Sequence, residues 1–182
     1  MTAKGRRQGA RDGRADWPER GAMNNVHFSS KSDEYSTPQW LYDLLDAEFH
    51  FTVDVCATAA NTKCSAYFSS EADGLEQEWQ GAAYCNPPYS EWGLWVEKAY
   101  LSSLLGATVC CLIAARTDTT YWHLYCTRAY EIRFLKGRLK FGTEKNSAPF
   151  PSAIVVFKPG NHVRPITSYV DLTEVQRSLF GC

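Results

Sequence analysis

The sequence predicts an α/β fold built on a mostly parallel sheet with an antiparallel C-terminal edge, and three observations predict it. Asn86-Pro87-Pro88-Tyr89 follows a short apolar stretch, Ala82-Ala83-Tyr84-Cys85, and precedes a helix-like one, which places it in a loop where a strand ends. Residues 107–114, with Val109, Leu112 and Ile113, form a run too poor in charge to face water on either side, as a strand buried in a parallel sheet does. Two late strand-like runs, residues 130–135 and 153–157, are joined by a segment rich in Gly, Pro and Asn, which suits an antiparallel edge.

The chain has 182 residues, 45% hydrophobic and 14% aromatic, enough for one domain with a buried core. No apolar run approaches the roughly 20 residues that span a bilayer, and the polar N-terminus does not read as a signal peptide, so a soluble, cytoplasmic protein without membrane contact is expected. Seven cysteines without a Cys-x-x-Cys pair read as reduced, buried thiols, and no metal site is expected. Residues 1–31 hold seven basic side chains against three acidic ones, a balance of +4; the chain as a whole carries −1, so the remainder carries −5. The Gly/Arg-rich segment 1–32 is therefore expected to be disordered. It is either a DNA-tethering arm or a dispensable leader, since Met23 offers an alternative start.

The organised domain is expected over 33–165, with a C-terminal tail or short helix over 166–182. Thr37 as N-cap and Pro38 at the first helical position open a helix whose Leu41, Leu44, Leu45 and Phe49 recur at helical spacing. Residues 51–56 form a strand running into the small residues Ala57-Thr58-Ala59-Ala60, the way such enzymes let a cofactor approach the backbone at the carboxyl edge of a sheet. Asp54 there either receives a ligand ammonium or caps the loop. Asp73, in Asp73-Gly74-Leu75, is a candidate acceptor for a ligand amino group or an ordinary turn residue. Ser90 caps the next helix, with Leu94, Trp95, Lys98, Leu101 and Leu105 on one face, and Thr117 or Asp118 caps a short one through Tyr121, Trp122 and Leu124. Cys110 and Cys111 point to opposite faces of their strand. Lys136-Gly137 turns, Arg138-Leu139-Lys140-Phe141 extends, and the loop that follows holds Lys145, Asn146, Pro149, Phe150 and Pro151. Basic side chains beside aromatics make this region either a DNA-contacting surface or a solvated edge hairpin.

The chemistry lies in residues 86–89. Two prolines stiffen the loop and leave carbonyl oxygens free, and Asn86 adds a side-chain acceptor. An exocyclic amino group is a poor nucleophile because its lone pair is delocalised into the ring. Two acceptors bias it toward a lone-pair-exposed geometry, so no strong base is needed. Tyr89 offers a face on which a flipped base stacks, an interaction worth roughly 1–3 kcal/mol. Amino-group methylation is the natural reading; a rigid turn with a packed Tyr is the plain one.

Several strings in order resemble the phage-type DNA N-6-adenine methyltransferase (Dam) family over roughly residues 33–158: Ser36-Thr37-Pro38-Gln39-Trp40, Asp54-Val55-Cys56-Ala57-Thr58 with Asn61, Asp73-Gly74-Leu75 with Trp79, Cys85-Asn86-Pro87-Pro88-Tyr89-Ser90, and Gly137-Arg138-Leu139-Lys140-Phe141. The resemblance implies a Rossmann-like sheet using S-adenosylmethionine to methylate adenine N6 in double-stranded DNA, in a monomer or weak dimer encoded by a phage or prophage in a bacterial cell. It implies Asn86, Pro87, Pro88 and Tyr89 as the catalytic loop. Tyr35, Thr37, Pro38, Asp54, Cys56, Ala57, Asp73 and Asn86 would face the cofactor, and Tyr89, Arg138, Lys140, Phe141 and Phe150 the DNA.

Two departures from the family pattern stand out. The usual glycine-rich cofactor loop is replaced by Ala57 and Thr58, whose β-carbons restrict close approach. Only 32 positions separate Asp54 from Asn86, too few for two full βα units, so one unit is shortened and the acidic residue for the ribose hydroxyls has no obvious place. No insertion is long enough for a target-recognition domain. Methylation of a glutamine amide and a non-catalytic nucleic-acid-binding module are the alternatives; Asn86, where a cytosine-N4 enzyme more often carries Ser, tilts the base toward adenine.

Overall fold

The computed structural model of the chain describes residues 35–141 and 147–181. The expectations for segment 1–32, Met23, Lys145 and Asn146 lie outside the described residues.

Among the described residues, seven strands form one sheet in the order β2-β1-β3-β4-β6-β5-β7. The strands are β1 (Val53–Asp54), β2 (Ala66–Tyr67), β3 (Ala82–Cys85), β4 (Thr108–Ala114), β5 (Glu131–Lys136), β6 (Ser152–Phe157) and β7 (Ile166–Asp171). β6 runs antiparallel to both β4 and β5, and every other pairing is parallel. This is the mostly parallel, Rossmann-like sheet expected, with its antiparallel element in the C-terminal part; β6 lies between β4 and β5, and β7 extends the sheet beyond them. β7 is exposed over its first four residues and half-buried over its last two, and without an apolar run its residues read as tail.

β4 is buried along its length because both faces are covered. Val109, Cys111 and Ile113 pack into one core with Trp92, Trp95 and Val96 of α2 (Trp92–Leu104) and with Trp122 of α3 (Thr120–Leu124). Cys110 and Leu112 point the other way, onto Leu41, Tyr42 and Leu45 of α1 (Gln39–Phe49) and Leu172 of α4 (Leu172–Phe180). Arg133 on β5 ties α1 to the sheet through both oxygens of Glu48, each at 2.6 Å.

Helix caps differ from expectation by one or two residues. Pro38, not Thr37, occupies the N-cap of α1, because the Thr37 hydroxyl is spent across the fold on Tyr84. α2 starts at Trp92, and its N-cap is Glu91, which makes no side-chain cap bond, rather than Ser90. α3 is capped by Thr119, whose Oγ1 accepts from Trp122 N, rather than by Thr117 or Asp118. The buried face of α2 is also turned about a third of a turn from the one expected. Trp95 faces the core as expected, but with Trp92, Val96 and Ala99, while Leu94, Leu101 and Leu105 are exposed, because the small Val/Ala row beneath the two Trp lets the helix lie close to the sheet. Residues 138–141 extend with Leu139 and Phe141 buried and Arg138 and Lys140 exposed, as expected of their alternation, but they form no strand; Leu139 O accepts from Ala148 N at 2.7 Å.

Candidate active site

The chain order reverses between β1, which leads outward to β2, and β3, which leads inward to β4. A crevice forms at the carboxyl ends of strands at such a switch point. Here it is a cavity of about 440 Å³.

Each wall follows from local sequence. β1 exits at Asp54, only 3% exposed. Its Oδ1 accepts from Cys56 N at 3.4 Å and its Oδ2 from Lys63 N at 3.2 Å, so one carboxylate closes the loop that follows. Asn61 Oδ1 accepts from Thr58 N at 2.6 Å and completes the turn. An Asp- and Asn-nucleated turn thus replaces the missing glycine-rich loop. β2 arrives after it without an intervening helix, and this is the shortened unit. Burial pushes the Asp54 carboxyl up to about 6, and the Lys63 charge opposes that rise.

The second wall carries Asp73 and Gly74. Asp73 adopts φ 47° and its Oδ1 accepts from Leu75 N at 3.1 Å. A β-carbon on Gly74 would stand 2.2 Å from Val55 O, so only glycine lets this loop lie against the end of β1. Trp79, buried, fixes the loop by donating Nε1 to Gly74 O at 2.8 Å.

The third wall is the end of β3. Asn86 Nδ2 donates to Tyr35 O at 2.5 Å, which leaves Asn86 Oδ1 buried without a partner. The opposite amide orientation would set Oδ1 against a carbonyl oxygen, so the bond itself decides the assignment. The Pro88 carbonyl accepts from Glu91 N at 3.1 Å and enters α2.

Of the residues expected at the site, Tyr35, Thr37, Asp54, Cys56, Ala57, Asp73, Asn86, Pro87 and Pro88 all line this cavity. Pro38 does not; it begins α1. Tyr89, Phe141 and Phe150 gather beside the cavity, with Tyr35 as the bridge. The Tyr89 ring lies 4.3 Å from Phe150 and 5.2 Å from Tyr35, and Tyr35 lies 5.1 Å from Phe141. Burial holds the Tyr89 phenol well above its ordinary range, so it stays protonated and is no base. It lies near Ser152 Oγ, yet neither hydroxyl makes a hydrogen bond of good geometry. Arg138 and Lys140 stand exposed on the segment that carries Phe141.

The cavity also takes in residues that the sequence did not mark, among them Lys63, Phe68, Ser69, Glu91 and Trp95. Phe68 and Ser69 follow β2, which is two exposed residues long and has no hydrophobic pattern to betray it. Trp95 reads as helix packing, and it does stack on Trp79 at 6.0 Å while also reaching the cavity.

The chain is similar in sequence to known proteins. The family model for DNA N-6-adenine-methyltransferase (Dam) matches residues 25–179. The DNA N-6-adenine-methyltransferase of Haemophilus phage HP1 is 31% identical over 159 residues, covering 81% of this chain and 91% of that protein. The Escherichia coli K12 protein YfdM is 32% identical over 65 residues, covering 31% of this chain and 71% of that one. A solved O-methyltransferase structure from Agrobacterium tumefaciens superposes on 58% of this chain and 52% of its own, at 13% identity and a TM-score of 0.35, a likeness too slight to carry weight. On the family match and the phage relative together, the chain belongs to the DNA N-6-adenine-methyltransferase (Dam) family.

Proposed function

We propose that this chain moves the methyl group of S-adenosylmethionine to the N6 amino group of an adenine flipped out of double-stranded DNA. The observation that carries the reading is Asn86 Oδ1: a buried acceptor without a partner, on the wall of a cavity, in an amide whose other end is held by Tyr35 O. A buried acceptor left unpaired costs about 1–3 kcal/mol, and an amino group donating to it removes that cost. Exocyclic N6–H is such a donor.

The residues present fit the cofactor. A cavity of about 440 Å³ lies within the roughly 300–1,000 Å³ typical of ligand pockets. Asp54, Asp73 and Glu91 give it an acidic wall suited to a cationic ligand, and Leu94 and Trp95 give it an apolar one. When bound, S-adenosylmethionine supplies a methyl group on a sulfonium leaving group. Asp54 receives the ammonium of its methionine part, with Tyr35, Thr37, Cys56 and Ala57 along the same wall. Asp73 accepts from its adenine.

For the target base, Asn86 Oδ1 accepts one N6–H. The Pro88 carbonyl is committed to Glu91 N, so the Pro87 carbonyl is the second acceptor that the loop offers. The two acceptors draw the amino group toward a tetrahedral geometry and point its lone pair at the methyl group. The N–C bond would form as the methyl–sulfur bond breaks, leaving a neutral thioether, and the methylated, cationic nitrogen would then give its extra proton to water, so no group near Asn86 need act as a strong base. Tyr89, half-buried, offers the stacking face beside this point, backed by the buried rings of Phe141 and Phe150 rather than flanked by them, and Arg138 and Lys140 contact phosphate.

The test is Asn86→Ala. Transfer of labelled methyl groups to unmethylated DNA should fall at least a hundredfold, while S-adenosylmethionine affinity measured by calorimetry stays within about threefold. Wild-type transfer by this variant would refute the assignment.

A further inference from the structure

Among the described residues, the cavity wall holds three carboxylates, Asp54, Asp73 and Glu91, and a single cationic side chain, Lys63. A cofactor with an amino-acid end brings both an ammonium and a carboxylate. The acidic wall suits the first; the second needs a donor. Glycine-rich loops receive such an anion with free backbone N–H groups. At the loop positions that line the cavity those groups are spent inside the protein: Cys56 N and Lys63 N on the Asp54 carboxylate, Ala57 N on Phe68 O at 3.1 Å, Thr58 N on Asn61 Oδ1, and Asn61 N on Thr58 O at 3.2 Å. The backbone has been consumed in building the turn, and a side chain must take its place.

Lys63 is placed for that. Its main-chain N–H is bonded to Asp54 Oδ2 at 3.2 Å, which fixes the root of the lysine beside the carboxylate that would hold the ammonium. Its Nζ rests on Gln39 Oε1 at 3.0 Å, an exposed contact with a neutral amide that an anion can replace. Gln39 is itself held by Asp43, its Nε2 donating to Oδ1 at 2.7 Å, and so stays in place when the lysine turns.

We propose that Lys63 Nζ anchors the carboxylate of the cofactor's methionine part, forming with Asp54 a fixed plus-and-minus pair that reads the amino-acid zwitterion. This rests on the reading of the cavity as the S-adenosylmethionine site. It gives the glycine-free loop a reason: the geometry that ties Lys63 N to Asp54 places cation and anion together.

The experiment compares calorimetric binding of S-adenosylmethionine with that of decarboxylated S-adenosylmethionine, which lacks only the carboxylate. The wild type should prefer the former by about ten- to a hundredfold, the range of a hydrogen bond between charged groups. Lys63→Arg, which keeps the charge, should retain the preference. Lys63→Met, which keeps the backbone bond and the stem, should bind both ligands alike, with the decarboxylated ligand within about twofold of wild type. A wild type without the preference overturns the proposal, and so does a preference that survives Lys63→Met. A wild type that binds neither ligand overturns instead the cofactor reading beneath it.

Discussion

At the scale of single residues, the site is a set of polar atoms held in position by others. Asn86 is oriented by a backbone carbonyl of Tyr35, and Tyr35 in turn packs on Tyr89 and Phe141, so acceptor and stacking surface share one support. Asp54 does two jobs. It closes its own loop, and it borders the cavity with a carboxyl raised to about 6 by burial. A carboxyl raised above its ordinary 3.8 marks a folded state that disfavours the charge. Its contribution to stability is therefore greatest below pH ~4, falls as pH rises from about 4 to 6, and is constant above that. Cofactor binding runs the other way, because an ammonium needs the ionised form. S-adenosylmethionine affinity should fall as pH drops below about 6, approaching tenfold per unit, and Asp54→Asn should flatten that dependence as well as weaken binding. Calorimetry from pH 5 to 7.5 checks this; the variant separates Asp54 from Asp73 and Glu91, which share the cavity. An equally steep dependence in the variant would contradict the role.

At the scale of elements, the loop carrying Asp73 depends on Gly74 lying against Val55 O. Gly74→Ala should destabilise the protein by about 1–3 kcal/mol in denaturant unfolding and weaken cofactor binding, because the loop must lift from the end of β1. Unchanged stability would show that the contact is relieved elsewhere. The sequence made much of this level legible. β4, β5 and β6 announce themselves by unbroken or alternating apolar runs, and α1 by helical spacing. Short elements do not. β2 is two exposed residues held by pairing with β1, and β7 is an exposed edge; neither has a burial pattern to read. The face of α2 was misplaced because a small Val/Ala row beneath two Trp packs as tightly as a Leu row. Caps moved when tertiary bonds claimed the side chain, as with Thr37 and Tyr84. Asp54, Asp73 and Asn86, marked in the sequence by residue types that suit the chemistry, do line the cavity. Lys63 lines it too, yet no sequence pattern marks it, because its place is set by the bond of its main-chain N–H to Asp54.

At the scale of the whole molecule, the cavity residues Asp54 and Asn86 lie at the carboxyl ends of β1 and β3, and the exposed cations Arg138 and Lys140 follow the carboxyl end of β5. The chain beyond residue 31 is net acidic, so DNA contact must rely on such local patches. Arg138→Ala with Lys140→Ala should weaken DNA binding uniformly across sequences and reduce the slope of log K against log salt by about 2, with cofactor affinity unchanged. A slope equal to wild type would place the phosphate contacts elsewhere. No helix among the described residues is long and apolar enough to cross a membrane, and no described segment forms a separate recognition domain. If Asn86 Oδ1 meets the amino group of adenine, purified protein incubated with labelled S-adenosylmethionine and unmethylated double-stranded DNA should leave label in N6-methyladenine alone when the modified bases are mapped. Label in N4-methylcytosine, in protein glutamine, or nowhere in the DNA would refute that role.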